Sequence, residues 1–149
     1  MSGDLRELYQ QLVFDHYKRP RNQHALGAPT HHAEGHNPLC GDEVTVWLDV
    51  VDGVVRDVAF QGGGCAIATA SASLMTEAVK GKPVAEVQKL FDEFHRMVTG
   101  KDEGTHPELG KLEVLAGVRE FPVRVKCATL AWHTLHAALE RDARPISTE

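Results

Sequence analysis

Cysteine is scarce in this chain, with three among 149 residues. An odd count leaves at least one thiol without a partner inside the chain. Excess positive charge is missing too: 16 basic residues face 21 acidic ones, for a net charge of −5. That balance argues against a nucleic-acid or membrane-surface role, which usually needs a basic patch. A local basic spot still stands at Lys18, Arg19 and Arg21. No stretch approaches the ~18 consecutive apolar residues of a membrane span. The start, Met1 to Arg6, lacks a basic segment followed by an apolar run, so no secretory signal is expected and the cytoplasm is the expected compartment. Thiols stay reduced there, and cysteines are then more often metal-binding or catalytic than disulfide-bonded. Internal repeats, low-complexity stretches and linkers are absent as well, so residues 1–149 read as a single domain. An apolar fraction of 42% and a charged fraction of 25% are ordinary for a globular protein.

The pattern of what remains is mixed. Leu5, Leu8, Tyr9, Leu12, Val13 and His16 share a helical face over about 5–17, with Asp4 as N-cap and Pro20 as the stop. Residues 19–39 read mainly as loop, with a short edge strand near 30–33. A hairpin follows. Val44, Val46, Leu48 and Val50 alternate with Glu43, Thr45, Trp47 and Asp49, Asp52-Gly53 marks the turn, and Arg56 to Gln61 returns. Gly62-Gly63-Gly64 breaks the strand. Helices are expected over 65–80 and 83–98, separated by Gly81 and Pro83. A polar loop over 100–107 leads to a short helix over 108–116 and an extended approach at 120–122. The last helix starts at Val123 or Arg124 and ends near Ala143, before a frayed tail over 144–149. These elements add up to an α+β fold: a small antiparallel sheet of about three strands with helices packed on one side.

The cysteines fall at element ends. Cys40 lies in the turn-like run Asn37-Pro38-Leu39-Cys40-Gly41-Asp42, Cys65 follows three glycines at a strand-to-helix junction, and Cys127 heads the last helix after Arg124-Val125-Lys126. Their spacing is not that of a zinc finger, whose paired ligands lie two to four residues apart. Their context suits reactive or metal-bound thiolates. Helix N-termini and neighbouring cations favour the anion. Asp42 would complete four ligands, and three thiolates with a carboxylate suit zinc or iron rather than magnesium or calcium. A carboxylate is also the more labile donor. Read alone, Asp42 could equally start the strand or cap the turn. His31, His32 and His36 read as solvated loop histidines, and His133 and His136 as surface or half-buried ones. The face opposite the valines carries Trp47, whose role the sequence leaves open.

Three runs then become recognisable: Asn37-Pro38-Leu39-Cys40-Gly41-Asp42, Gly62 through Met75, and Arg124-Val125-Lys126-Cys127-Ala128-Thr129-Leu130-Ala131-Trp132. With Leu8-Tyr9 and the run His16 to Asn22, they resemble the IscU/SufU family of iron–sulfur cluster assembly proteins over nearly the whole chain. Lys126 stands where the IscU branch has histidine, Glu120 to Arg124 keeps only the proline and valine of that branch's chaperone-recognition run, and residues 100–119 look like an insertion typical of SufU. The resemblance is therefore nearest to the SufU branch, with a SufE/NifU-like fold. It implies zinc held by Cys40, Asp42, Cys65 and Cys127, and sulfur accepted from the persulfide of a SufS-type cysteine desulfurase for downstream iron–sulfur assembly proteins. Cys40, in the loop, is the expected acceptor and Arg124 the cation that orients it. The alternative it implies is a scaffold that assembles a [2Fe-2S] cluster on the same ligands and hands it on.

Overall fold

The computed structural model describes residues 2–38, 40–100, 106–140 and 146–147, with no description of the side chains of 2–6, 107, 146 and 147. Helix α1 (Ser2–Lys18) leads to strand β1 (His31–Asn37) and the hairpin β2 (Asp42–Val51) and β3 (Val54–Gly63). Helices α2 (Ala66–Val79) and α3 (Val84–Val98) follow. A 3-10 segment (Pro107–Glu120), helix α4 (Pro122–Leu139) and the short strand β4 (Ile146–Ser147) complete the order. The sheet runs β3-β2-β1-β4. Its first three strands are antiparallel, as expected from the sequence, while β4 lies parallel beside β1. Two residues of the expected frayed tail thus join the sheet.

The hairpin turns where the sequence places it. Asp52 and Gly53 hold φ of 53° and 75°, the two left-handed residues of a type I′ turn whose twist matches the flanking strands. Period-two alternation sends Val44, Val46, Leu48, Val58 and Phe60 inward. Strand β1 is longer than expected, and His31, His32 and His36 belong to it rather than to a loop. Its inward positions are Ala33, Gly35 and Asn37, small or polar residues that give no apolar signal.

Helix α1 is already under way at Asp4, so that residue is not its cap. It is fastened to α2 by polar groups. The buried His16 Nδ1 lies 2.6 Å from Ser73 Oγ, which also accepts the N–H of Arg21 at 2.8 Å, and Asn22 Nδ2 donates to Thr76 Oγ1 at 3.0 Å. Burial holds the His16 pKa below its ordinary value.

The core lies between the sheet's inner face and the helices, with Leu74, Met75, Phe94, Met97, Leu130 and Leu135 at its centre. Trp132 is buried there and stacks on Phe94, ring centroids 4.7 Å apart. The segment expected as a short helix over 108–116 is the 3-10 stretch, kinked at Gly110. Leu109, Leu112, Leu115 and Val118 recur every three residues and are all buried. That period matches three residues per turn. Each buried side chain contributes about 1.5–3 kcal/mol, which offsets the poorer hydrogen-bond geometry of such a helix. The polar loop expected just before it falls largely outside the described residues.

Candidate metal centre

Three elements deliver the cysteines to one place. Asn37 and Asp42 face each other in register across β1 and β2, and Cys40 lies between them in the sequence, beside the end of the hairpin. The Cys40 N–H donates to the Asn37 carbonyl at 3.3 Å. Cys65 is the N-cap of α2, and its sulfur accepts the N–H of Ala68 at 3.4 Å. Helix α4 starts at Pro122, slightly earlier than expected, which moves Cys127 from the first turn into the second.

The glycine run explains how the second element approaches the first. Gly62, Gly63 and Gly64 hold φ of 96°, 145° and 143°, conformations that side-chain-bearing residues rarely adopt. A Cβ on Gly62 would run into the Glu43 carbonyl oxygen, and one on Gly64 into the Asp42 carboxylate. The space left by Gly64 lets the Cys65 N–H donate to Asp42 Oδ1 at 2.8 Å.

Sulfurs and carboxylate then meet. One ligand atom each from Cys40, Asp42 and Cys127 lies within 4.8 Å of the others. The Cys127 and Cys40 sulfurs are 3.4 Å apart, and the Cys65 sulfur is 3.6 Å from Asp42 Oδ2. Cys65 also adjoins Cys127. In a tetrahedral zinc site with Zn–S bonds of ~2.3 Å, neighbouring sulfurs stand about 3.8 Å apart, so the observed spacing needs little adjustment. No disulfide links the three thiols.

Burial grades the site. Asp42 and Cys127 are buried, Cys65 is half-buried and Cys40 is exposed. Helix position and nearby cations suggest lowered thiol pKa values, but burial dominates. It pushes the Cys127 thiol far up, with the adjoining thiols of Cys40 and Cys65 and the Asp42 carboxylate adding to the rise. Burial likewise raises Cys65, against the opposing hydrogen bond from Ala68. Several soft donors that resist deprotonation together, arranged at ligand spacing, make a setting that a divalent cation would stabilise.

Arg124 is set apart from the four. It is exposed on the first turn of α4, and its guanidinium lies 4.7 Å from the centre of the Phe121 ring. It stands on the site's rim, close enough to Tyr9 to lower a phenol pKa that burial raises and Cys65 raises further. The sequence alone does not assign two residues near the thiols to the site: Tyr9, and Asn37, whose Nδ2 donates to the Cys127 sulfur at 3.7 Å. The one sequence signal for Asn37 is its place three residues before Cys40 in the same run.

Away from the thiols, His133 and His136 are half-buried, as expected, and pack with Phe91. Among the described residues, no helix is long and apolar enough to cross a membrane.

Comparison with known proteins shows the family. A family model described as the NifU-like N-terminal domain matches residues 8–143. The iron–sulfur cluster assembly scaffold protein IscU of Streptococcus pyogenes is 43% identical over 93% of this chain and 87% of its own length. The zinc-dependent sulfurtransferase SufU of Bacillus subtilis is 38% identical over 95% of each. Among solved structures, an iron–sulfur cluster assembly scaffold protein for the SUF system from Fervidobacterium islandicum superposes with a TM-score of 0.83. It shares 33% identity and covers 89% of this chain and 97% of its own.

Proposed function

Since the chain belongs to the NifU-like N-terminal domain family of iron–sulfur cluster assembly proteins, we propose that it is the sulfur-accepting member of such a system, a zinc-dependent sulfurtransferase served by a SufS-type cysteine desulfurase. The observation that carries this reading is the graded site: the Cys40 and Cys127 thiols and the Asp42 carboxylate at ligand spacing, the Cys65 sulfur beside that carboxylate, and one thiol, Cys40, exposed. Cys40, Asp42, Cys65 and Cys127 are the proposed ligands. Bound zinc would keep the thiolates deprotonated and masked until a partner arrives. Cys40 is the proposed acceptor because an incoming persulfide can reach its sulfur, whereas Cys127 is only 2% exposed.

The transfer itself is a thiol exchange. The Cys40 thiolate attacks the outer sulfur of the desulfurase persulfide, a new S–S bond forms on Cys40, and the desulfurase cysteine leaves as thiolate. No net oxidation takes place. Arg124, on the rim, is proposed to steer the approach of that anionic group. Downstream iron–sulfur assembly proteins would take the sulfur onward.

The relative named as an IscU scaffold favours a second reading, in which the same ligands assemble a [2Fe-2S] cluster as cargo. One preparation separates the two. Protein isolated without oxygen should be colourless and contain zinc, and it should accelerate alanine release from cysteine by the desulfurase, with Cys40→Ser abolishing the gain. A brown protein with visible absorption and no acceleration would establish the scaffold reading instead.

A further inference from the structure

Three sulfurs share this site, yet only one is proposed to carry sulfur, and their hydrogen bonding differs. The Cys127 sulfur receives the Asn37 side-chain N–H at 3.7 Å, and the Cys65 sulfur receives the Ala68 backbone N–H at 3.4 Å. Among the described residues, no N–H donor reaches the Cys40 sulfur. Its contact there is the Cys127 sulfur, 3.4 Å away. An N–H aimed at a thiolate draws charge from it and lowers its basicity, and a less basic thiolate is a weaker nucleophile.

Asn37 occupies a particular place in this pattern. It is fully buried at the end of β1, directly opposite Asp42. Its carbonyl accepts the Cys40 N–H while its amide serves the Cys127 sulfur. One residue thus anchors the acceptor loop and damps the neighbouring thiolate. The opposed pair divides the labour: Asp42 offers a carboxylate, and Asn37 offers a neutral donor beside it.

We infer that Asn37 is a positioning residue that quenches the Cys127 thiolate and so confines sulfur acceptance to Cys40. The inference rests on the sulfur-transfer reading for its consequence, but its physical core, an N–H donated to a metal-bound sulfur, can be read without any transfer. Outer groups of this kind tune the ligands they touch.

The test uses the whole chain loaded with cobalt(II), whose sulfur-to-metal charge-transfer band reports the electron density on the thiolates. Asn37→Leu keeps the side-chain size without the donor. Asn37→Val, smaller and likewise without the donor, serves if the leucine variant fails to fold. The band is expected at lower energy in either folded variant, with the tetrahedral ligand-field bands retained. An unmoved band in a folded variant overturns the inference. In the zinc-loaded protein, iodoacetamide labelling followed by peptide mapping should show the share of label on Cys127 relative to Cys40 rising about tenfold, the scale of one charge-assisted hydrogen bond. An unchanged ratio also overturns it. A shifted band in a protein that never accepts sulfur would instead defeat the transfer reading and leave the role of Asn37 standing.

Discussion

Replacing Gly64 with alanine would strike the candidate site without altering any proposed ligand. Gly64 holds φ of 143°, where a side chain brings strain of about 1–3 kcal/mol. A Cβ would also overlap Asp42 Oδ1 and stand 3.0 Å from the Asp42 Cα. The carboxylate would have to withdraw and give up the Cys65 N–H it accepts at 2.8 Å. A hydrogen bond to a charged group contributes about 1.5–3 kcal/mol. The combined loss, roughly 3–6 kcal/mol, is large against the 5–15 kcal/mol by which typical domains are stable. Gly81→Ala is the control. Gly81 also has positive φ, 84°, but its Cβ would meet nothing within 4 Å, so strain alone applies, about 1–2 kcal/mol. Urea denaturation of both variants, with and without zinc, reads the stability difference, and competition with a chromophoric chelator reads metal affinity. Gly64→Ala should lose at least twice the stability lost by Gly81→Ala and should bind zinc more weakly, whereas Gly81→Ala should bind it normally. Equal stability losses and normal zinc binding in both would refute the argument that Gly64 exists to make room for Asp42.

Three further outcomes are expected. Asp42→Ala should weaken zinc binding by competition titration, and an unchanged affinity would exclude the carboxylate as a ligand. Stripping the metal with a chelator should lower the melting temperature, because a cation that binds only the folded site stabilises it by mass action; an identical melting curve would show that the thiols hold no metal in the folded protein. Stability of the metal-free protein should decline as the pH falls below about 6.5. Burial depresses the folded-state pKa values of His16 and His133, so the unfolded chain binds their protons first, and the loss accumulates from the ordinary value near 6.5 down to the lowered ones. His16→Gln should make the decline shallower in urea melts at stepped pH, and an unaltered slope would remove His16 as a source.

How much could be read in advance depended on the kind of signal. The hairpin was legible because Val44, Val46 and Leu48 alternate cleanly and Asp52-Gly53 can adopt the turn. The boundaries of α2 and α3 followed from Gly81 and Pro83. Strand β1 was legible only in part, because its inward residues are alanine, glycine and asparagine and its outward ones include two histidines. The short helix expected over 108–116 is there, and its 3-10 winding follows from the three-residue period of Leu109, Leu112, Leu115 and Val118. At the site, the three element ends and Asp42 stood out through their chemical types. Asn37 did not, because an amide beside a proline looks like any turn residue until the strand register sets it against Asp42. The direction of the thiol pKa shifts was also hidden, since it depends on burial depth, which the cysteine neighbourhoods do not reveal.

The two tryptophans occupy opposite environments, which gives the molecule a built-in pair of optical probes. Trp132 is enclosed against Phe94, and its indole nitrogen has no acceptor among the described residues. Trp47 stands half-buried on the sheet face away from the helices. The first should emit at short wavelength and resist acrylamide, reporting the integrity of the interior, while the second should be quenched readily and respond to whatever settles on that outer face. A single fluorescence experiment can therefore distinguish a protein that has begun to melt from one that has acquired company.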